Sequence, residues 1–237
     1  MKKNGGLSVG AVIVAAGKGT RMNLDISKQL VKIRGRPVVA WTLQAFEDCG
    51  AVDELVLVVN ESDMALYRKE IIGRYGFNKV KAIAAGGAER QDSVFNGLSE
   101  LSAECGIVLI HDGARPFIDG RTIIESVDAA GEYGASCVAV PVKDTIKAAD
   151  KEGFVAETLD RRILWSIQTP QAFRRDIISS AFAKARNEGF KGTDDAVLAE
   201  RLGCKPKLVM GSYENIKITT REDLLFAEAI AAVRDKK

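Results

Sequence analysis

The stretch Val9–Met22, VGAVIVAAGKGTRM, decides the fold. From Val9 to Ala16 it is an almost continuous apolar run rich in Val and Ile, and it ends in glycines at Gly17 and Gly19. A strand with one wet face would alternate apolar and polar residues. This one does not, so it reads as a strand buried on both faces, parallel to its neighbours and covered by helices. The pattern returns at Leu55–Val59, Ile107–Ile110, Cys137–Val142 and Leu208–Met210. Between these runs lie segments of helical spacing: Pro37–Phe46, Glu61–Tyr75, Gln91–Leu101, Arg121–Tyr133, Phe173–Asn187, Asp194–Leu202 and Arg221–Val233. Strands alternating with helices argue for an α/β fold with a mostly parallel sheet.

One stretch departs from the alternation. Lys143–Arg162 is polar, with short alternating pieces on either side of Lys151-Glu152-Gly153, and reads as a hairpin turning at the glycine. It has too little apolar surface for a core of its own, so the expectation is a protruding arm that packs on a partner subunit. There is no internal repeat, low-complexity segment or interdomain linker, and residues 1–237 read as a single domain with the arm inserted at about 143–162.

Composition narrows the function. With 46% hydrophobic and 28% charged residues, the chain is neither disordered nor collagen-like. A net charge of +2, from 34 basic and 32 acidic residues, gives no concentrated positive field for nucleic acid or a membrane surface. Cys49, Cys105, Cys137 and Cys204 are widely spaced and read as small core residues in a reducing compartment. A single histidine, His111, removes most zinc sites. No apolar run approaches the ~18 residues of a membrane span, and the N-terminus has no signal-length apolar core, so the expected location is cytoplasmic.

Four constellations could carry chemistry. Ala15-Ala16-Gly17-Lys18-Gly19-Thr20-Arg21-Met22 follows the first strand, where open α/β sheets bind ligands. The dinucleotide fingerprint fails because Met22 holds the third glycine position, and the P-loop fails because Gly19 follows Gly17-Lys18. A glycine loop with Arg21, and Lys28 a few residues on, suits a polyphosphate; a tight turn with solvated basic residues is the plainer reading. Gly86-Gly87-Ala88-Glu89-Arg90-Gln91-Asp92-Ser93 leads into a helix whose first turn could hold a base or phosphate, or be ordinary capping. His111-Asp112-Gly113-Ala114-Arg115-Pro116 closes the third strand. Asp112 there suits a metal or sugar hydroxyls and Arg115 a phosphate, while His111 reads as a packed, hydrogen-bonded residue. The last group is Asp160-Arg161, Trp165, Thr169-Pro170-Gln171, Thr193-Asp194-Asp195 and Asn215–Thr219; Thr193 or Asp194 reads as a helix cap.

In this order the segments AAGKGTRM, KQL, GGAERQDSV, HDGARPF, PVKDTIK, LDRRILWSIQTPQAF, TDDA and NIKIT resemble the 2-C-methyl-D-erythritol 4-phosphate cytidylyltransferases, from about Val9 to about Val233. The resemblance implies a Rossmann-like nucleotidyltransferase domain and Mg²⁺-dependent transfer of CMP from CTP to a polyol phosphate in non-mevalonate isoprenoid synthesis. It implies that Arg21 and Lys28 neutralise the triphosphate, and that Arg161 and Lys217 orient the substrate phosphate. Asp112 and Thr169 match substrate positions. Arg115 and Thr145 match positions reaching the substrate from a neighbouring subunit. Ala15, Ala16, Gly17, Gly19, Gly87 and Ser93 match the cytidine and phosphate cradle. Mg²⁺ is expected on the nucleotide's phosphates with no protein ligand assigned, and the arm is expected to make a homodimer. Ala88 departs from relatives that carry a polar residue there. No fused cyclase domain is expected after the last helix. A ribitol-5-phosphate or related polyol-phosphate cytidylyltransferase is the nearest alternative, since it shares the loop and the lysine. A nicotinamide-dependent oxidoreductase would carry the third glycine that this chain lacks, and a merely nucleotide-binding protein would not need all four of Arg21, Lys28, Arg161 and Lys217.

Overall fold

The structure, a computed structural model, describes residues 6–17 and 27–234. In chain order the elements are β1 (Ser8–Val14), β2 (Lys32–Ile33), β3 (Arg36–Pro37), α1 (Val38–Glu47), β4 (Glu54–Val59), α2 (Met64–Tyr67), β5 (Val80–Ala85), α3 (Arg90–Ser99), β6 (Cys105–Asp112), α4 (Gly120–Tyr133), β7 (Ala135–Pro141), β8 (Lys147–Ala149), β9 (Val155–Thr158), β10 (Trp165–Arg174), α5 (Arg175–Asn187), α6 (Ala196–Glu200), β11 (Lys207–Met210) and α7 (Arg221–Arg234).

Seven strands form one sheet in the order β11-β7-β10-β6-β1-β4-β5. All neighbours run parallel except β10, which lies antiparallel between β6 and β7. The reading of Val9–Ala16 holds. Val9, Ala11 and Ile13 point to one face, against Val39, Leu43 and Phe46 of α1 and Ile123 and Val127 of α4. Val12 points to the other, where Val94 and Leu98 of α3 and Ile178 and Phe182 of α5 pack. A strand covered on both faces has no wet position, which is why its sequence shows no alternation. A third cluster, Ile33, Val38, Phe117, Ile218, Ala227 and Ala231, docks α7 beside the β2–β3 ladder.

One strand went unread in the sequence, and two expectations are corrected. Val80–Ala85 is a strand at the sheet edge; with Lys81 and three alanines it carries little β-branched signal. The helix expected from Phe173 starts at Arg175, because Phe173 and Ala172 still pair with β6 and β7. The preceding stretch is the long strand β10, whose pairing shifts register between Ile167 and Gln171, around Pro170. Glu61–Tyr75 is a composite of a 3-10 turn, the single turn α2 and a π-helical stretch over Arg68–Gly73.

The polar hairpin is present. β8 and β9 pair antiparallel, outside the main sheet. Gly153, at φ +90°, makes the turn, and the Asp150 carboxylate accepts the N–H groups of Glu152 and Phe154. All four residues of β9 are exposed, and Phe154, Val155 and Ile163 are 68%, 64% and 75% exposed. The four cysteines are free thiols, three of them buried, as read. No helix among the described residues is long and apolar enough to cross a membrane.

Gly97 of α3 is where helix and sheet approach closest. A Cβ there would stand 2.5 Å from a Val12 methyl and 2.7 Å from a Val58 methyl. Both valines are central-strand residues with no room to withdraw. Gly97→Ala is expected to destabilise the fold by about 1–3 kcal/mol despite its better helix propensity. Urea denaturation checks it, and a gain in stability would contradict the packing.

Candidate active site

The carboxyl ends of β1, β4 and β6 open into a cleft of about 360 Å³. Five segments line it: Val14, Ala16 and Gly17 at the end of β1; Lys28 and Gln29 from a 3-10 turn; Asn60 after β4; Gly87–Arg90 and Ser93 at the start of α3; and Asp112 and Ala114 at the end of β6. Lys217 closes it from the segment before α7. A second cavity of about 190 Å³ adjoins it, sharing Arg90, Asp112 and Lys217 and adding Arg115, Thr169, Gln171, Thr193 and Asp194 among its walls.

The glycine turn before α3 is tightly built. A side chain at Gly86 would collide with Ala16, and one at Gly87 with Asp92, so only glycine lets this turn approach the end of β1. Ser93 Oγ accepts the Gly87 N–H at 3.0 Å and donates to Glu89 O at 3.1 Å. Glu89 and Asp92 form a capping box, with Asp92 Oδ2 accepting the Glu89 N–H at 3.1 Å. Ala88 lines the cleft with only a methyl group, so polar contacts from that position come from the main chain.

At the junction of the two cavities stands Asp112, 7% exposed. Lys217 Nζ lies 2.7 Å from its Oδ2, Arg115 Nε 3.7 Å from the same oxygen, and Arg90 Nε 3.4 Å from Oδ1. Burial alone would raise its pKa, but Arg90, Lys217 and Arg115 outweigh burial and hold the carboxyl far below the usual range. Arg115 also donates from Nη1 to Asn215 O at 2.7 Å, and its buried Nε has no hydrogen-bond partner among the described residues. Arg90 reaches a second carboxylate, Asp195, at 2.7 Å. Burial pushes the Asp195 carboxyl up, against the pull of Arg90. Thr169 Oγ1 accepts the Asp112 N–H at 3.0 Å, and Asn215 Nδ2 donates to Thr169 O at 3.0 Å. These bonds tie β6, β10 and the Lys217 segment together.

His111 is the packed residue expected. Its Nε2 donates to Arg115 O at 3.1 Å, its ring meets Phe46 at 5.0 Å, and it is fully buried.

Of the residues marked in the sequence, the structure gathers Ala16, Gly17, Lys28, Gly87, Ser93, Asp112 and Lys217 around the larger cleft, and Arg115 and Thr169 around the smaller. Ala15 sits just beneath, its N–H donating to Val58 O at 2.7 Å. Arg115, expected to reach the substrate from a neighbouring subunit, lies in its own chain in the cluster around Asp112, where the turn after β6 folds it back. Arg161 and Thr145 are exposed on the arm and line neither cavity of this chain. Arg161 Nη1 donates to Lys143 O at 3.0 Å, at the arm's foot. Gly19 and Arg21 lie outside the described residues. Arg90 was missed as a site residue, although it stood within the segment Gly86–Ser93.

The model of the family described as "IspD: 2-C-methyl-D-erythritol 4-phosphate cytidylyltransferase" matches residues 9–233. The chain belongs to this family. A 2-C-methyl-D-erythritol 4-phosphate cytidylyltransferase of Caldanaerobacter subterraneus subsp. tengcongensis is 48% identical over 222 residues, covering 94% of this chain and 98% of the relative. One of Pelotomaculum thermopropionicum is 51% identical over 226 residues, covering 95% of each. The crystal structure of the 4-diphosphocytidyl-2C-methyl-D-erythritol synthase of Anaerococcus prevotii superposes with a TM-score of 0.86 at 34% identity, covering 97% of this chain and 98% of that one. The family match, residues 9–233, spans the arm region of the sequence as well.

His111 is the chain's one histidine, which makes a clean titration possible. Burial lowers its pKa to about 4, from 6.5. The unfolded chain therefore binds a proton first, and stability is full above pH 6.5 and falls as pH drops toward 4. The expected loss from this group is about 2 kcal/mol between pH 7 and pH 5. Denaturant unfolding of wild type and His111→Gln across that range checks it: the variant's curve is to be flatter by that amount, and parallel curves would exclude a buried neutral imidazole.

Proposed function

We propose that the larger cleft takes CTP and the adjoining cavity takes 2-C-methyl-D-erythritol 4-phosphate. The reaction is that of the family: CMP passes from CTP to the phosphate of the sugar alcohol, giving 4-diphosphocytidyl-2-C-methyl-D-erythritol and pyrophosphate, in the non-mevalonate isoprenoid pathway. The observation that carries the division of the site is the cluster of Arg90, Arg115 and Lys217 around Asp112 where the two cavities meet.

The chemistry suits that cluster. A phosphate oxygen of the polyol phosphate attacks the α-phosphorus of CTP, and the bond from the α-phosphorus to the bridging oxygen breaks. Pyrophosphate leaves with the electron pair. The nucleophile is already an anion, so no base is needed, in keeping with a single histidine locked in the core. The obstacle is repulsion between two polyanions. Preorganised cations that hold both in line remove it without reorganising at the moment of reaction. Lys28 and Arg21 neutralise the triphosphate, and Lys217 and Arg161 orient the attacking phosphate. The cradle of Ala15, Ala16, Gly17, Gly19, Gly87 and Ser93 takes the cytidine and phosphates.

Among the described residues no three of His, Cys, Asp and Glu converge as a metal site, and Asp112 is committed to three cations. These residues do not fit a protein-held divalent cation. Mg²⁺ is assigned to the nucleotide's own phosphates. The unpaired thiols support a reducing, cytoplasmic setting.

The homodimer rests on the arm. A two-stranded arm exposing Phe154, Val155 and Ile163 is not stable by itself, and a second copy is the occupant that gives Arg161 and Thr145 a substrate to meet.

Two experiments test this reading. Lys28→Ala and Arg21→Ala are each expected to lower kcat by roughly 10²–10³-fold, about 3–4 kcal/mol, because each faces charge that develops in the transition state. Pyrophosphate release with 2-C-methyl-D-erythritol 4-phosphate and with ribitol 5-phosphate measures it. A near-wild-type rate removes their role, and a preference for ribitol phosphate removes the substrate. Arg161→Ala is expected to weaken use of the polyol phosphate far more than that of CTP. Mixing inactive Arg161→Ala and Lys28→Ala chains is expected to restore activity in the mixed dimer, since one of its two sites then holds both residues. No recovery after verified subunit exchange would place Arg161 in its own chain's site.

A further inference from the structure

Two motifs play almost no part in the reaction derived above: Thr169-Pro170-Gln171 and Thr193-Asp194-Asp195. The structure joins them. Gln171 of β10, 1% exposed, accepts the N–H groups of both Asp195 and Ala196 on Oε1, each at 3.0 Å. Its Nε2 donates to Asp194 Oδ2 at 2.8 Å, while Asp194 Oδ1 caps α6 through the Val197 N–H at 3.0 Å. The sheet thus clamps the first turn of α6 and fixes where Asp195 can point.

Asp195 points at Arg90. Its carboxylate is 1% exposed and lines neither cavity, so it meets no substrate. Its Oδ2 receives Arg90 Nη2 at 2.7 Å. Arg90 itself walls both cavities and keeps its side chain 32% exposed toward them. It occupies the first turn of α3, where the helix dipole disfavours a cation. A carboxylate behind it offsets that cost. The neighbouring Gln91 binds Phe190 O at 3.1 Å and the Gly192 N–H at 3.0 Å, so the segment leading to Asp195 is fastened to α3 beside the ion pair. Asp112 cannot do the same work, since Lys217 and Arg115 share it and it faces the ligand space.

We propose that Asp195 is a positioning residue for cytidylyl transfer, which holds the Arg90 guanidinium at the boundary of the two cavities and is itself held by Gln171. The proposal rests on the functional reading given above. It separates two tasks that one carboxylate could not serve: Asp112 meets the ligand space, and Asp195 sets the direction of a cation from behind.

The test is a double-mutant cycle in the pyrophosphate-release assay with wild type, Asp195→Asn, Arg90→Ala and the double variant. Misdirecting a cation at the reacting centre is expected to lower kcat/KM roughly 10- to 100-fold in Asp195→Asn, with cooperative thermal unfolding retained. In the Arg90→Ala background the same change is expected to cost nothing further, a coupling that a purely structural role of Asp195 would not produce. Asp195→Glu, which restores the charge, is expected to recover most of the activity. Asp195→Ser goes through the same cycle, so either folded neutral variant decides. Wild-type kinetics in a neutral variant, or an equal fold-loss with and without Arg90, overturns the proposal. A wild-type protein that releases no pyrophosphate would instead strike the functional reading, so the two failures are distinct.

Discussion

The buried carboxylate of Asp112 is the point on which the site depends. It draws a lysine from the segment before α7, an arginine from its own turn and an arginine from the start of α3 to within 3.7 Å. Asp112 in turn needs them, since a buried charge without a partner costs several kcal/mol. Arg90, Arg115 and Lys217 pair with Asp112 and Asp195, three cations on two carboxylates, while Glu89 and Asp194 also line the two cavities. The two carboxylates thus set the directions of the three cations. Cations ordered in advance are what a site for anions requires.

The sheet explains why these side chains converge. Chain progress from β1 runs outward to β4 and β5 on one side, and to β6, β10, β7 and β11 on the other. Turns leaving β1 and β6 therefore diverge, and a crevice opens above their carboxyl ends, as open α/β sheets do where strand order reverses. β10 adds something a purely parallel sheet would not. Running antiparallel beside β6, it presents Thr169 to the Asp112 main chain and Gln171 to α6 from within the sheet. The late motifs thus act at the site because a reversed strand returns them to it.

How far the sequence could be read follows from what kind of signal each part leaves. Val9–Ala16 and Ile107–Ile110 announce themselves because burial on two faces forbids polar residues. β5 does not, because an edge strand of alanines and a lysine carries no such constraint. β10 was hidden by Pro170, whose missing N–H argues against a central strand; the register shift around it accommodates the proline. Lys28 and Asp112 could be marked from charge beside a glycine turn and at a strand end, whereas Lys217 was marked only through the family resemblance. Arg90 could not be told from a solvated cation at a helix start, where a positive side chain is disfavoured, until Asp195 was seen some hundred residues away in sequence. The long-range partner was the missing information, and no local spacing contains it.

The arm raises a different kind of question, because its residues are well placed for nothing in their own chain. Lys143 lies over the Tyr213 ring at 3.4 Å, and Tyr213 OH donates to Pro141 O at 2.7 Å, so the arm's foot is anchored to the domain. Beyond that foot, β8 and β9 bury almost nothing, and three large apolar side chains face outward. A hairpin that leaves such side chains in water has more to gain from association than from its own ladder. Arg161 and Thr145 belong to the same projecting unit and line neither cavity of their own chain. An anchored foot and an uncovered tip are the two properties that the proposed placing of Arg161 across a subunit boundary calls for, the same fixed direction that Asp112 and Asp195 give to cations within the chain.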